Sequence, residues 1–224
     1  LAIRAAAAAM NRGDVLLLEA QVMYPATNGR FHPVEAEQAS FDAIRDAVDR
    51  GIIVIEAGGN GTVDLDAFRD PSGRNRLNRN SPDFRDSGAI MVGAATSFAP
   101  HQRLGFSNFG SRIDCYAWGE NIETCGDGWE GNLTNTYTSF FGGTSGASPI
   151  VTGAALLLQG WAAGRGQVYS PADLRRLMSD RTLNTPSMSP AADRIGVMPN
   201  LRAIVQSELA HPPPAAVVPA PVIA

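Results

Sequence analysis

Histidine, cysteine, basic runs and long apolar stretches are all scarce in this chain, and each scarcity excludes something. The longest apolar stretch, Ala147–Leu158, falls far short of the ~20 residues that a membrane helix needs. No run of Lys or Arg marks a membrane-surface patch. The formal net charge of −4 argues against a nucleic-acid partner, which calls for a basic face. No positively charged segment with a cleavage site opens the chain, so no signal peptide is read there. Two cysteines, Cys115 and Cys125, flank a Gly-containing loop. A disulfide closing that loop would suit an oxidising compartment, and two unrelated thiols fit equally well.

What is present is the composition of an ordinary globule: 224 residues, 44% hydrophobic and 18% charged, enough for one domain with a sizeable core. Ala2–Arg12 reads as a helix ended by Gly13. Asp14–Leu18, Ile52–Ile55 and Ala89–Ala94 are short continuous apolar runs, the pattern of strands buried on both faces. Between the first two, Ser40–Arg50 carries Phe41, Ile44, Ala47 and Val48 on one helical stripe and closes at Gly51. Strand, helix, strand with short connections is a right-handed βαβ unit. Pro25, Gly29 and Pro33 make Gln21–Glu37 a loop. Gly58–Gly88 is a long polar loop rich in Gly and Arg.

Further along, Ser111–Tyr116 and Thr136–Phe141 alternate enough for strands nearer an edge. Ser145–Gly160 is an apolar helix buried all round, and Pro171–Arg181 and Pro199–Leu209 are amphipathic helices opened by Pro. The fold class that follows is α/β with a mainly parallel sheet covered on both faces. Residues 210–224 are a Pro/Ala-rich tail or linker outside the 1–209 domain.

The segment Gly142-Gly143-Thr144-Ser145-Gly146-Ala147-Ser148-Pro149 sets a Ser among small residues just before the apolar helix. Glycines let a substrate carbonyl approach the backbone, and a helix N-terminus offers free N–H groups to a developing oxyanion. Thr144 or Ser145 as a plain helix cap is the competing account, and on this feature alone the commoner one. The longer string GTSGASPIVTGAAL decides against it. It resembles the nucleophile motif of the subtilisin-like serine peptidases, Gly-Thr-Ser-x-Ala-x-Pro followed by a buried helix.

Other blocks agree in order. Val54-Ile55-Glu56-Ala57-Gly58-Gly59-Asn60 resembles that family's strand ending in Ala-Gly-Asn, Ser87–Ala94 its Val-Gly-Ala block, and Phe106-Ser107-Asn108-Phe109-Gly110 its Phe-Ser-Asn-x-Gly block. The resemblance implies a three-layer αβα domain, incomplete at the N-terminal side. It assigns Ser145 as nucleophile and the Asn60 side chain as oxyanion donor. Glu19, Ala20 and Gln21 stand where the family pairs with substrate backbone, in place of its usual Ser-Leu-Gly. Ala57, Gly58 and Gly59 stand at the opposite wall of the pocket, with Glu56 adding negative charge there, and Thr144 completes the substrate-binding set. Trp118 departs from the Pro usual in its block.

The family also needs an Asp and a His ahead of the Ser, and neither motif is present. His32, His101 and His211 lie in loops or the tail, and no His-Gly pair occurs. Asp86-Ser87-Gly88 imitates the Asp motif but leads into the wrong strand. The expectation is therefore a bacterial, secreted endopeptidase whose triad Asp and His come from a missing upstream segment. Its partners would be a peptide or protein substrate and the N-terminal half of the same domain. The alternative is a pseudopeptidase binding extended peptides by strand addition. No cofactor is required. Structural calcium is implied by resemblance, with Asp64 and Asp66 as candidate ligands. A dinucleotide-binding reading of Gly58-Gly59-Asn60-Gly61 lacks the Gly-x-Gly-x-x-Gly spacing and opens no helix.

Overall fold

A computed structural model describes residues 2–24, 29–126 and 135–210. In chain order the elements are α1 (Ala2–Ala8), β1 (Val15–Leu18), β2 (Gln21–Tyr24), β3 (Arg30–Pro33), a 3-10 turn at Val34–Ala36, α2 (Gln38–Asp49) and β4 (Ile53–Ala57). After the long loop come β5 (Ile90–Ala95), β6 (Cys115–Trp118), β7 (Ile122–Cys125), β8 (Tyr137–Phe141) and α3 (Thr144–Ala163). The chain closes with α4 (Pro171–Ser179), β9 (Thr185–Pro186), α5 (Pro190–Asp193), β10 (Val197–Met198) and α6 (Leu201–Ala210).

The central sheet runs β1-β4-β5-β6-β10-β9, parallel throughout except for β9. Every residue of β4 and β5 is buried, as their unbroken apolar runs require of strands covered on both sides. Alternation then sorts side chains between two layers. Ile53 and Ile55 face α3, packing with Val151, Ala155 and Leu158, while Ile52 and Val54 face α2, packing with Ile44 and Ala47. α4 begins where Ser170 accepts a hydrogen bond from the Asp173 N–H, with Pro171 at the first helical position.

Three local expectations need correction. The segment 21–37 is a hairpin and a turn: Gln21 pairs with Pro33, Val22 with His32 and Met23 with Phe31. Gly29 directly precedes β3, Pro33 ends it at the sheet edge, and residues 25–28 lie outside the described residues; the β-favouring residues on either side pair. Helix α1 ends at Ala8, short of Arg12. The sixth strand begins at Cys115, after Ser111-Arg112-Ile113-Asp114, because Arg112 and Asp114 are drawn into buried ion pairs.

Arg112 is fully buried. Its Nε donates to Glu35 Oε1 at 2.6 Å and its Nη2 to Glu35 Oε2 at 2.9 Å, and its Nη1 reaches Asp114 Oδ2 at 2.8 Å. Asp114 also takes Arg79 and Arg175, and Arg175 continues to Asp86. Glu56 belongs here and not to a substrate wall: its Oε1 accepts from the Glu35 N–H at 2.9 Å. Complete burial, with the Glu35 charge second, pushes its pKa well above the ordinary carboxylate range.

Both cysteines are free thiols. Cys115 is buried and donates to the Met178 carbonyl at 3.3 Å, whereas Cys125 is exposed on β7. The tail and His211 fall outside the described residues. Among the described residues no helix is long and apolar enough to cross a membrane.

Replacing Arg112 by Leu leaves the buried Glu35 carboxylate without its cation, while Asp114 keeps Arg79 and Arg175, and urea denaturation should register a loss of about 3–5 kcal/mol. A loss no larger than the ~1 kcal/mol of a surface pair would refute the structural weight given to this network. Burial works against the charge on Asp86, but Arg175 and Arg112 outweigh it and hold its pKa to about 2, below its ordinary 3.8. The unfolded chain therefore binds this proton first, so the group's stabilisation is full above the ordinary value and vanishes as pH falls through about 2. The stability gap between the parent and Asp86→Asn should narrow from about pH 5 downward; a gap independent of pH would count against it.

Candidate active site

In an open parallel sheet the crevice lies beyond the carboxyl ends of the strands. Here Glu19 directly follows β1, Asn60 follows β4 within a short turn, and Gly119 and Glu120 directly follow β6. These residues, with Gln21, Phe106, Phe140, Phe141, Gly142, Gly143 and Ser145, line one cleft of about 660 Å³. Ser145 and Asn60, far apart in sequence, thus share one small volume.

The N-terminus of α3 is attached to the β4 end through Asn60. Asn60 Oδ1 accepts from the Thr144 N–H at 2.9 Å and from Thr144 Oγ1 at 2.9 Å. A backbone N–H can only donate, so the partner atom is the amide oxygen and the orientation of the carboxamide is fixed. Nδ2 is left facing Gly143: a Cβ built there would stand 3.0 Å from it. Gly143 also has φ +86°, a left-handed conformation that favours glycine. The clamp is closed by the Gly59 N–H, which donates to Thr144 Oγ1 at 3.1 Å, and by the Asn60 N–H, which donates to Gln21 Oε1 at 2.8 Å.

Asn108 holds the loop from beneath and is fully buried. Its Oδ1 accepts from the Gly61 and Val63 N–H groups at 3.1 and 2.8 Å, and its Nδ2 donates to the Phe31 and Gly58 carbonyls at 2.9 and 2.8 Å. All four hydrogen-bonding positions of the amide are used. The Phe-Ser-Asn block was legible in sequence, but its task of fixing the Asn60 loop was not.

Ser145 is half-buried at the first turn of α3. The Thr144 N–H is taken by Asn60 and those of Gly146 and Ala147 by the Gly143 carbonyl. The Ser145 N–H and hydroxyl have no hydrogen-bond partner among the described residues. A free N–H and a carboxamide Nδ2 at one helix mouth can together receive a negative oxygen.

The remaining sequence candidates are distributed unevenly. Glu19 and Gln21 line the cleft, and Ala20 is exposed beside it. Ala57, Gly58 and Gly59 are buried and act through the backbone, with the Gly58 N–H donating to Val92 O at 2.8 Å. Thr144 is buried and works through Asn60. Sequence reasoning missed Phe106, Glu120, Phe140 and Phe141, which come from three separate stretches; Phe140 is 87% exposed. An exposed Phe is the one signal that periodicity alone would not have placed.

Neither described histidine borders the cleft. His32 is buried against Phe68, with Nδ1 at 3.0 Å from the Arg30 carbonyl, and burial lowers its pKa. His101 Nδ1 lies 2.7 Å from the Thr96 carbonyl. Asp64 and Asp66 do not fit calcium, because Arg194 holds both, at 2.6 and 2.9 Å. Among the described residues no cluster of three or more His, Cys, Asp or Glu is arranged for a metal.

The family model described as the Subtilase family matches residues 23–196. The chain is 36% identical over 126 residues to an extracellular serine proteinase of a Thermus species, covering 56% of this chain and 26% of that protein. It is 34% identical over 116 residues to alkaline protease 1 of Emericella nidulans, covering 52% and 24%. The matches thus span about a quarter of those relatives' own lengths. Among solved structures, the self-cleaved protease domain of PatA superposes with TM-score 0.60 at 21% identity, covering 92% of this chain and 65% of that one. A cold-adapted subtilisin-like serine proteinase gives 0.54 at 21% identity, covering 88% and 57%. At these identities the structures speak for the fold.

Thr144→Val removes a donor and an acceptor from the clamp while keeping the side-chain shape, so the unfolding free energy should fall by about 1–3 kcal/mol. Thr144→Ser should retain most of it. Equal stability of the Val variant and the parent in thermal or urea melts would show the clamp to be idle.

Proposed function

Because the chain belongs to the subtilase family, we propose that it is the nucleophile-bearing portion of a secreted serine endopeptidase. The observation that carries this reading is the shared cleft, in which Asn60 Nδ2 and the Ser145 N–H stand beside the Ser145 hydroxyl. Ser145 Oγ attacks a peptide carbonyl carbon, giving its proton to a histidine, while the carbonyl oxygen gains charge and accepts from Nδ2 and the N–H. Collapse expels the amine with that proton, and water then hydrolyses the acyl group by the same route in reverse. The donors are held before the charge forms, so they cost no reorganisation when it does.

The histidine and its orienting aspartate are assigned to an upstream segment, the N-terminal half of the same domain. Two features support a docking place at β1. Among the described residues it is a sheet edge paired with β4 alone, and its Val-Leu-Leu-Leu run is only partly buried. Beside it Leu156 and Leu157 of α3 are 54% and 64% exposed. A strand added to that edge would cover both. Secretion is supported by the printed name of the Thermus relative; relatives of bacterial and fungal origin occur alike, so a bacterial source is not part of the proposal.

A second reading, a pseudopeptidase that binds extended peptides, is favoured by the placement of His32 and His101 away from the cleft. Fluorophosphonate labelling of Ser145 separates the two. Labelling should be strong with the upstream segment present and feeble without it; equal labelling of both samples excludes complementation, and peptide binding by the full gene product with no turnover favours the second reading. In the complemented enzyme Asn60→Leu should lower kcat by about 10²–10³, the cost known for losing such a donor in subtilisin.

A further inference from the structure

The cleft beside Ser145 is charged with one sign. Its ionisable side chains are Glu19 and Glu120, and no Arg or Lys lines it. Elsewhere the buried and half-buried carboxylates of Glu35, Asp64, Asp66, Asp70 and Asp114 are each matched by an arginine. Neither Glu19 nor Glu120 takes part in any salt bridge of the described residues.

Glu120 is held in place by neutral donors: its Oε1 accepts from the Ser97 N–H at 3.0 Å. That bond fixes the carboxylate and leaves Oε2 available. Glu19 is exposed at the cleft, where desolvation raises its pKa and a cation beside it would favour the charged form. Phe140, which lines the same cleft, presents a largely exposed ring. A long cationic side chain can lay its methylenes and its charge along such a ring. The same chain stacks Arg85 on Phe41 at 4.1 Å and Arg103 on Phe109 at 4.2 Å.

We propose that this cleft selects peptides carrying Arg or Lys beside the attacked bond, with the cation held by Glu19 and Glu120 against Phe140. The proposal rests on the peptidase reading for the word "attacked", but the selection is a property of binding and is measurable without turnover. These two carboxylates replace Glu56 as the source of negative charge, since Glu56 is fully buried on the Glu35 N–H and does not line the cleft.

The test uses the full chain and two fluorescein-labelled, end-capped peptides that differ only by Arg or citrulline at one central position. Citrulline keeps the shape of Arg and removes its charge. Fluorescence anisotropy should show the Arg peptide binding about tenfold more tightly, as expected of two partly desolvated pairs rather than one exposed pair. The ratio should shrink as added salt shortens the screening length. In the isosteric double variant Glu19→Gln/Glu120→Gln, verified as folded by circular dichroism, the ratio should fall to about one. Equal binding of the two peptides by the parent overturns the charge selection and leaves the peptidase reading standing. A preference that persists in the double variant overturns the assignment to these two carboxylates. Binding of neither peptide overturns both readings together.

Discussion

The site depends on a carboxamide whose oxygen is committed and whose nitrogen is not. Asn60 Oδ1 is occupied by the N–H and hydroxyl of Thr144, so Nδ2 must face the mouth of α3. The same two bonds join the end of β4 to the first turn of the helix that carries Ser145. Orientation of the donor and placement of the nucleophile are therefore one constraint. A loop rotation that turned the amide away would also release the helix end, and Gly59 and Gln21 each add a further bond against it.

Beneath that constraint lies a second, more costly one. Arg112, Glu35 and Asp114 are removed from water together, and their mutual attraction repays the desolvation only because each charge is met at short range and further donors fill the remaining lone pairs. The reward is positional. Glu35 stands just after the β2–β3 hairpin, Asp114 just before β6, and Arg175 on α4, so the network locks to the sheet a hairpin that would be marginal by itself. Phe31 of that hairpin accepts from Asn108, and Asn108 fixes the Asn60 loop. The ionic network thereby reaches the cleft without touching it.

Polarity is partitioned along the strands. Inside the sheet β4 and β5 are wholly buried, and burial drives the pKa of the sole carboxyl on them, Glu56, well above its ordinary range. Beyond their carboxyl ends the chain turns polar at once, with Asn60 and, after β6, Glu120. A parallel sheet delivers several loops to one edge because all its strands end there. This is why residues as distant as Glu19 and Ser145 meet. At β1, beyond which no strand of the described residues pairs, the same apolar character becomes a surface open to a further strand.

Much of this was written locally in the sequence. Unbroken apolar runs gave β4 and β5 because strands covered on both faces have no polar side to show, whereas β1, with the same kind of run, is only partly buried at the sheet edge. The small-residue string before the apolar helix marked Ser145, and the strand ending Ala-Gly-Gly-Asn marked Asn60, since nucleophile and donor each need a backbone that a substrate can approach. The hairpin at 21–33 was hidden by its Pro and Gly, which signal a turn but not what flanks it. The destinations of side chains were settled by tertiary structure alone. Glu56 and Glu120 are the same residue type beside strand ends, yet one is buried on the Glu35 N–H and the other opens on the cleft. Asp64 and Asp66 resemble metal ligands until Arg194 arrives from the far end of the chain. Pattern fixes what a segment can form because that physics acts between near neighbours. Partners depend on which distant segment is packed alongside, and only the folded chain decides that.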